Sequence, residues 1–209
     1  LIVHKVKHNT KRLITSIKWV IFSIVVGIVA GSCGTAFYFA LSVVTDFRMK
    51  YPWLIYFLPI GGLAIVGLYH LCKDDNDTGT NLVISAIHSG DKVPFIMAPL
   101  IFVSTLITHL FGGSAGREGA ALQMGGSIGS SIGRVFRFDE KDKHVMIMCG
   151  MSAAFSALFG TPMAAAIFSM EMISVGVMYY IALVPCVISS LIALSLIHIS
   201  EPTRLQLIS

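Results

Sequence analysis

The sequence predicts an all-α, polytopic membrane protein, and three observations carry that prediction. Of the 209 residues, 55% are hydrophobic and 12% charged, and mean hydropathy is +0.80. Soluble domains carry about 25% charged residues, so this chain has too little polar surface to cover a water-exposed globule. The apolar residues also form long tracts without charge, and a helix needs only about 20 residues to cross a hydrocarbon core roughly 30 Å thick, so roughly six to eight membrane elements fit. Finally, glycine and proline interrupt those tracts, which predicts tilted and broken helices rather than straight rods.

Residues 1–18 form a basic segment holding Lys5, Lys7, Lys11, Arg12 and Lys18, directly before the uncharged tract Trp19 to Thr45. The positive-inside rule places this segment in the cytoplasm and makes the tract a span. Within it, Gly27 and Gly31 stand on one helical face, a spacing that lets a second helix approach closely. Asp46 to Lys50 reads as a short polar turn. The next tract, Tyr51 to Cys72, has Trp53 and Tyr56 near one end as interfacial anchors, while Pro59, Gly61 and Gly62 predict a kink or a close contact. Lys73 to Thr80 is acidic and loop-like and leads into Gly79-Thr80-Asn81; Val93 to Gly116 is the third long tract.

Eight of the 19 glycines fall between Gly112 and Gly133. Glycine costs about 1 kcal/mol against alanine inside a helix, so this density must serve the backbone. Gly125, Gly129 and Gly133 recur every four residues and predict a smooth packing groove. Gly112, Gly113, Gly116 and Gly119 predict an irregular turn into a helix N-terminus. After a charged loop, Arg134 to Lys143, the tract Val145 to Met170 is broken at Gly160-Thr161-Pro162 into two helices, because proline suits a first helical turn. The last tract, Met172 to about Leu194, contains Pro185. Residues 195–209 change character abruptly and resemble the translated adapter read-through that ends reading frames assembled from environmental DNA, so this tail is expected to be non-native.

Composition also excludes function classes. Cys33, Cys72, Cys149 and Cys186 show no C-x-x-C spacing, so they read as packing residues rather than disulfides or zinc ligands. A net charge of +4 without a basic block interleaved with aromatics argues against nucleic acid. No nucleophile–base pair or metal-ligand spacing is present, so neither an enzyme, a metal site nor a cofactor is expected. His109 reads as a hydrogen-bonded interior histidine, and Met124, Met148, Met151, Met163 and Met170 read as packing side chains.

Charges inside apolar tracts reduce to Arg117, Glu118 and Glu171. An ionisable group at membrane depth costs about 2.5 kcal/mol or more on insertion scales, and by default marks a functional path. Glu118 is the strongest candidate. It lies between Gly116 and Gly119, which expose backbone N–H groups at a helix start, and such a start carries about half a positive charge that favours anions. A tethered carboxylate there competes with a free anion, and protonating it removes the competitor. That exchange is a physical route for coupling protons to anions. Arg117 either orients backbone carbonyls or lines the entrance, and a local Arg117–Glu118 pair capping the helix is the structural alternative. Glu171 reads as a structural residue near a helix end, with a proton-pathway role as the alternative.

The run Gly113-Ser114-Ala115-Gly116-Arg117-Glu118-Gly119-Ala120, continuing into Gln123-Met124-Gly125-Gly126, resembles the central signature of the CLC family of anion channels and proton-coupled antiporters. Phe159 through Glu171 resembles the family's later helix, at a matching spacing. The resemblance implies the first half of the CLC inverted-repeat fold across residues 19–194, within a protein that is a homodimer with one pore per subunit. It makes Glu118 the gating and proton-coupling glutamate, and Thr80, Asn81, Gly116, Arg117 and Gly119 the anion-binding residues. Three departures are similar to the fluoride-exporting branch: Thr80-Asn81 in place of the Ser-Gly of the chloride-type motif, Ala120 in place of Pro, and Met172 where chloride/proton antiporters carry an internal glutamate. Fluoride is small and strongly hydrated, so its site must replace more hydrogen bonds, which the extra donors of Thr80 and Asn81 suit. The implied function is fluoride/proton antiport across the cell membrane. Chloride conduction or chloride/proton exchange is the alternative, and a non-transporting membrane scaffold the further one.

Overall fold

The computed structural model describes the backbone of residues 2–72, 93–172 and 179–200, and the side chains of 15–72, 93–172 and 179–199. Among these residues there is no strand. Seven α-helices follow in order: α1 (Ile2–Lys50), α2 (Leu58–Leu71), α3 (Met97–Leu110), α4 (Arg117–Val135), α5 (Glu140–Phe159), α6 (Pro162–Glu171) and α7 (Leu183–Ser200), with 3-10 turns at Pro52–Phe57 and Tyr180–Ala182. By length and composition Thr15–Lys50, Pro52–Leu71 and Tyr180–Ile199 can each cross a membrane, and α3 is a shorter apolar helix.

α1 is 49 residues long and absorbs the segment Asp46 to Lys50 that reads in sequence as a turn. Arg48 and Lys50 occupy its last turn, where cations complement the helix dipole. The chain turns one residue later, at Tyr51, whose N–H donates to Phe47 and Arg48 carbonyls at 3.1 Å. Pro59 does not kink α2, because it sits in the first turn. Gly61 makes the close contact instead: a Cβ there would lie 2.4 Å from the Phe111 ring, whereas Gly62 faces open space. The charged segment Arg134 to Lys143 is mostly helical, leaving only residues 136–139 between α4 and α5. Pro185 falls in the first turn of α7 and likewise breaks nothing.

The core is built around α5, which packs against α1, α4, α6 and α7. From Val145 to Leu158 every residue except Phe155 is buried. Lipid is as apolar as leucine, so this assembly depends on close backbone approach and interhelical hydrogen bonds rather than on expulsion of water. Small residues provide the approach. A Cβ on Gly125 would lie 2.2 Å from the Gly150 carbonyl oxygen, one on Gly150 would lie 2.1 Å from that of Gly125, and one on Gly129 would lie 2.2 Å from that of Met146. On α1, Gly27 abuts Ser189 and Gly31 abuts Ala193 of α7, while Gly34 meets Ala154 and Ala157 of α5. Three buried serines then bridge α5 and α7: Ser152 Oγ donates to Cys186 O at 3.0 Å, Ser156 Oγ to Ser190 O at 2.8 Å, and Ser189 Oγ to Cys149 O at 3.1 Å.

α5 ends at Gly160, whose φ of 69° is left-handed and therefore favours glycine. Pro162 starts α6 two residues later, so the break at Gly160-Thr161-Pro162 is as the sequence predicts. The four cysteines are free, with Cys149 and Cys186 fully buried. Met124, Met148, Met151 and Met170 are core residues, but Met163 is 56% exposed, on the outward face of α6.

Contacts at the two ends of α1 fix the helix directions. Near its start, Lys18 pairs with Asp142 at 2.7 Å, and Phe22 stacks edge-on against Phe136 and Phe138. Near its end, Arg48 packs against Gly112. The α4–α5 connection thus lies at the Trp19 end, and the α3–α4 connection at the Arg48 end.

Candidate functional site

The candidate site is the N-terminus of α4. Leaving α3, the chain reverses through Gly112 (φ 80°), and the Gly113 N–H donates to the Thr108 carbonyl at 2.8 Å. Gly116 is the N-cap, extended at φ −68° and ψ 118°, and no side chain caps the helix. The first helical bond, from Ala120 N–H to Gly116 O, is long at 3.4 Å. The N–H groups of Arg117, Glu118 and Gly119 precede the first full turn and have no intrahelical acceptor. A turn of unpaired donors at the positive end of a 19-residue helix is a site for negative charge.

Gly116, Arg117, Glu118 and Gly119 are brought together at this end. Arg117 and Glu118 are exposed, Gly119 is half-buried and Ala120 is buried. Among the described residues neither Arg117 nor Glu118 has a hydrogen-bond or ion-pair partner, so the local capping pair is not formed. Thr80 and Asn81 lie outside the described residues. Glu171 closes α6 and is exposed, with Met172 half-buried beyond it. His109 is held within its own helix, Nδ1 to the Thr105 carbonyl at 2.9 Å.

Sequence reasoning missed a neighbour of this helix start. Arg117 lines a polar cavity of about 200 Å³ together with Tyr38, Ser42, Thr45 and Asp46 of α1 and Leu158 of α5. Among the described residues Thr45 Oγ1, buried there, has no hydrogen-bond partner. A signal for this face does exist in the sequence: Tyr38, Ser42 and Thr45 stand at i, i+4 and i+7, a polar stripe along an otherwise apolar helix.

Helices long and apolar enough to cross a membrane, joined by a helix break beside the core, define a polytopic α-helical membrane protein, and the uncapped start of α4 presents an exposed carboxylate. The chain belongs to the CLC family: the family model described as voltage gated chloride channel matches residues 61–204. A chloride/fluoride channel protein of Pseudomonas syringae pv. tomato is 42% identical over 177 residues, which is 84% of this chain and 39% of that protein. The H(+)/Cl(-) exchange transporter ClcA of Vibrio cholerae is 28% identical over 84% of this chain and 41% of its own length. Among solved structures, a CLC-type fluoride/proton antiporter superposes with a TM-score of 0.80 at 37% identity, over 87% of this chain and 46% of that one. The chain therefore spans less than half the length of each of these proteins.

Proposed function

We propose that this chain is the first part of a proton-coupled anion transporter of the cell membrane, with fluoride as the exported ion. The observation that carries the reading is Glu118: a carboxylate in the first turn of α4, unpaired among the described residues and set where the helix start would also stabilise a free anion. In this reading Glu118 occupies the anion position when ionised and leaves it when protonated, so one proton and one anion use the site in turn. Gly116 and Gly119 keep the backbone N–H groups open, Arg117 lines the entrance, and Thr80 and Asn81 supply further donors. Residues 19–194 form the membrane part, residues 1–18 lie on the cytoplasmic side, and the complete protein works as a homodimer. The fluoride preference is supported by Thr80-Asn81, Ala120 and Met172, and by the similarity to proteins described as a chloride/fluoride channel and a fluoride/proton antiporter. Similarity to an H(+)/Cl(-) exchange transporter favours chloride/proton exchange as the second reading.

The test uses the complete gene product in liposomes, with fluoride and chloride efflux followed by ion-selective electrodes and proton movement by a pH electrode. Fluoride efflux faster than chloride efflux supports the assignment; a chloride preference overturns it. Glu118→Gln is expected to abolish proton movement, and unchanged proton flux in that variant would refute the coupling role.

A further inference from the structure

Two charges beside the candidate site stand at helix ends of the wrong sign. A helix is positive at its N-terminus and negative at its C-terminus, so acids suit the first and bases the second. Arg117 nevertheless opens α4, at the positive end. Asp46 lies four residues before Lys50, which closes α1 at its negative end. Their neighbours follow the rule: Glu118 is in the first turn of α4, and Arg48 and Lys50 are in the last turn of α1.

The two exceptions meet. Asp46 and Arg117 line the same polar cavity of about 200 Å³, with Tyr38, Ser42 and Thr45 along its α1 side and Leu158 from α5. Each charge is thereby brought to the helix end that suits it, the carboxylate to the start of α4 and the guanidinium to the end of α1. Among the described residues these are the charged side chains of the cavity, and Glu118 does not line it. Successive helical positions diverge by about 100°, so Arg117 can turn into the cavity while Glu118 turns away from it. Arg48 lies against Gly112 and Lys50 over the Tyr51 ring, so the nearby cations of α1 have other neighbours.

Arg117 thus stands between two acids, Glu118 beside it in sequence and Asp46 across the cavity. A guanidinium drawn to Glu118 would neutralise that carboxylate and hold it in place. One drawn into the cavity leaves it unpaired, as Glu118 is among the described residues. Asp46 and Arg117 form no direct ion pair there either, so the attraction acts across the cavity. Both side chains are exposed, which limits it to the strength of a surface pair.

We propose that Asp46 is a positioning residue: it draws the Arg117 guanidinium into the α1–α4 cavity and so keeps Glu118 unpaired and able to exchange with an anion. The exchange step rests on the transport reading of Glu118, whereas the placement of Arg117 does not.

Melting of the 209-residue chain in detergent tests the placement without transport, and the three side chains are exposed, so their variants should fold. In the Asp46→Asn background Arg117 turns to Glu118. Glu118→Gln should then lower the melting temperature by about 2 °C more than it does in the parent, the scale of one surface ion pair. Adding Arg117→Gln should abolish that excess, and the Asp46→Glu background should show none. Equal losses in the parent and Asp46→Asn backgrounds, or an excess that persists without Arg117, would overturn the proposal. Proton-coupled fluoride efflux by the complete gene product in liposomes, or chloride efflux where chloride is the preferred ion, tests the exchange step. Asp46→Asn should slow it about threefold, again the scale of a surface pair. Asp46→Glu should keep the parent rate, and Asp46→Asn with Arg117→Gln should match Arg117→Gln alone. Parent-like efflux by Asp46→Asn would overturn the role in exchange. If Glu118→Gln leaves proton movement unchanged, the transport reading falls, while the melting comparison still decides where Arg117 turns.

Discussion

The two ends of α4 use glycine for opposite purposes. At its middle and C-terminal part, Gly125 and Gly129 face backbone carbonyls of α5 so closely that a Cβ would sit 2.2 Å from an oxygen. At its start, a Cβ on Gly116 would meet nothing within 4 Å, and the backbone opens outward. One part joins two helices backbone to backbone; the other leaves N–H groups without an intrahelical acceptor. The same residue type thus fixes the position of Glu118 through the first set and leaves its surroundings accessible through the second.

That contrast is broken most severely by filling the crossing. Gly125→Ala or Gly150→Ala should cost about 3 kcal/mol or more, above the usual range for an added methyl, because the neighbour is rigid backbone rather than a mobile side chain. Thermal unfolding in detergent, followed by the fraction remaining monodisperse, measures the loss. A change below a quarter of that size would show that α4 and α5 separate easily. Next come the serine bridges that hold α5 against α7. Ser156→Ala or Ser152→Ala should each destabilise by about 0.6 kcal/mol, the average for hydrogen bonds between membrane helices. The carbonyls they leave remain acceptors within α7, so the cost stays modest, and a double variant should be close to additive in the same unfolding assay.

Gly116→Ala sharpens the comparison from the other side. Its φ of −68° and ψ of 118° suit any residue, and with open space around it the change in stability should stay within about 0.5 kcal/mol. A loss as large as that for Gly125→Ala would remove the distinction between the two ends. The smallest effect lies just beyond the C-terminal end of α4. Lys143, hydrogen-bonded to Glu140 at 2.7 Å, holds that carboxyl below its ordinary value. A lowered folded value means the pair's stabilisation is present above the ordinary glutamate range and is lost as pH falls through the folded value. Melting temperatures of the parent and Glu140→Gln should therefore differ slightly at neutral pH and converge in acid; a difference that grows in acid would contradict the sign.

Much of this organisation is legible in the sequence because it depends on near neighbours. The spans follow from uncharged tract length, the break after Phe159 from glycine and proline two residues apart, and the start of α4 from the cluster Gly112 to Gly119. Asp46 to Lys50 is less legible, since a few polar residues read equally as a turn or as the last helical turn beyond the membrane. Proline misleads in a related way: Pro59 suggests a kink as readily as a close contact, yet it falls in the first turn of α2, where its missing N–H costs nothing.

The sequence by itself determined the membrane class, the order of the helices and the isolation of Glu118 as a charge at a helix start, all properties set within a few residues along the chain. Tertiary structure alone decided which glycine stripe meets which helix, that Ser152 and Ser156 reach α7, that Met163 points outward and that Asp46 shares a polar cavity with Arg117. The physical reason lies in the solvent. Lipid and protein interior are almost equally apolar, so hydropathy cannot tell the face of a helix that meets protein from the face that meets lipid. Only the close fit of backbones far apart in sequence makes that choice.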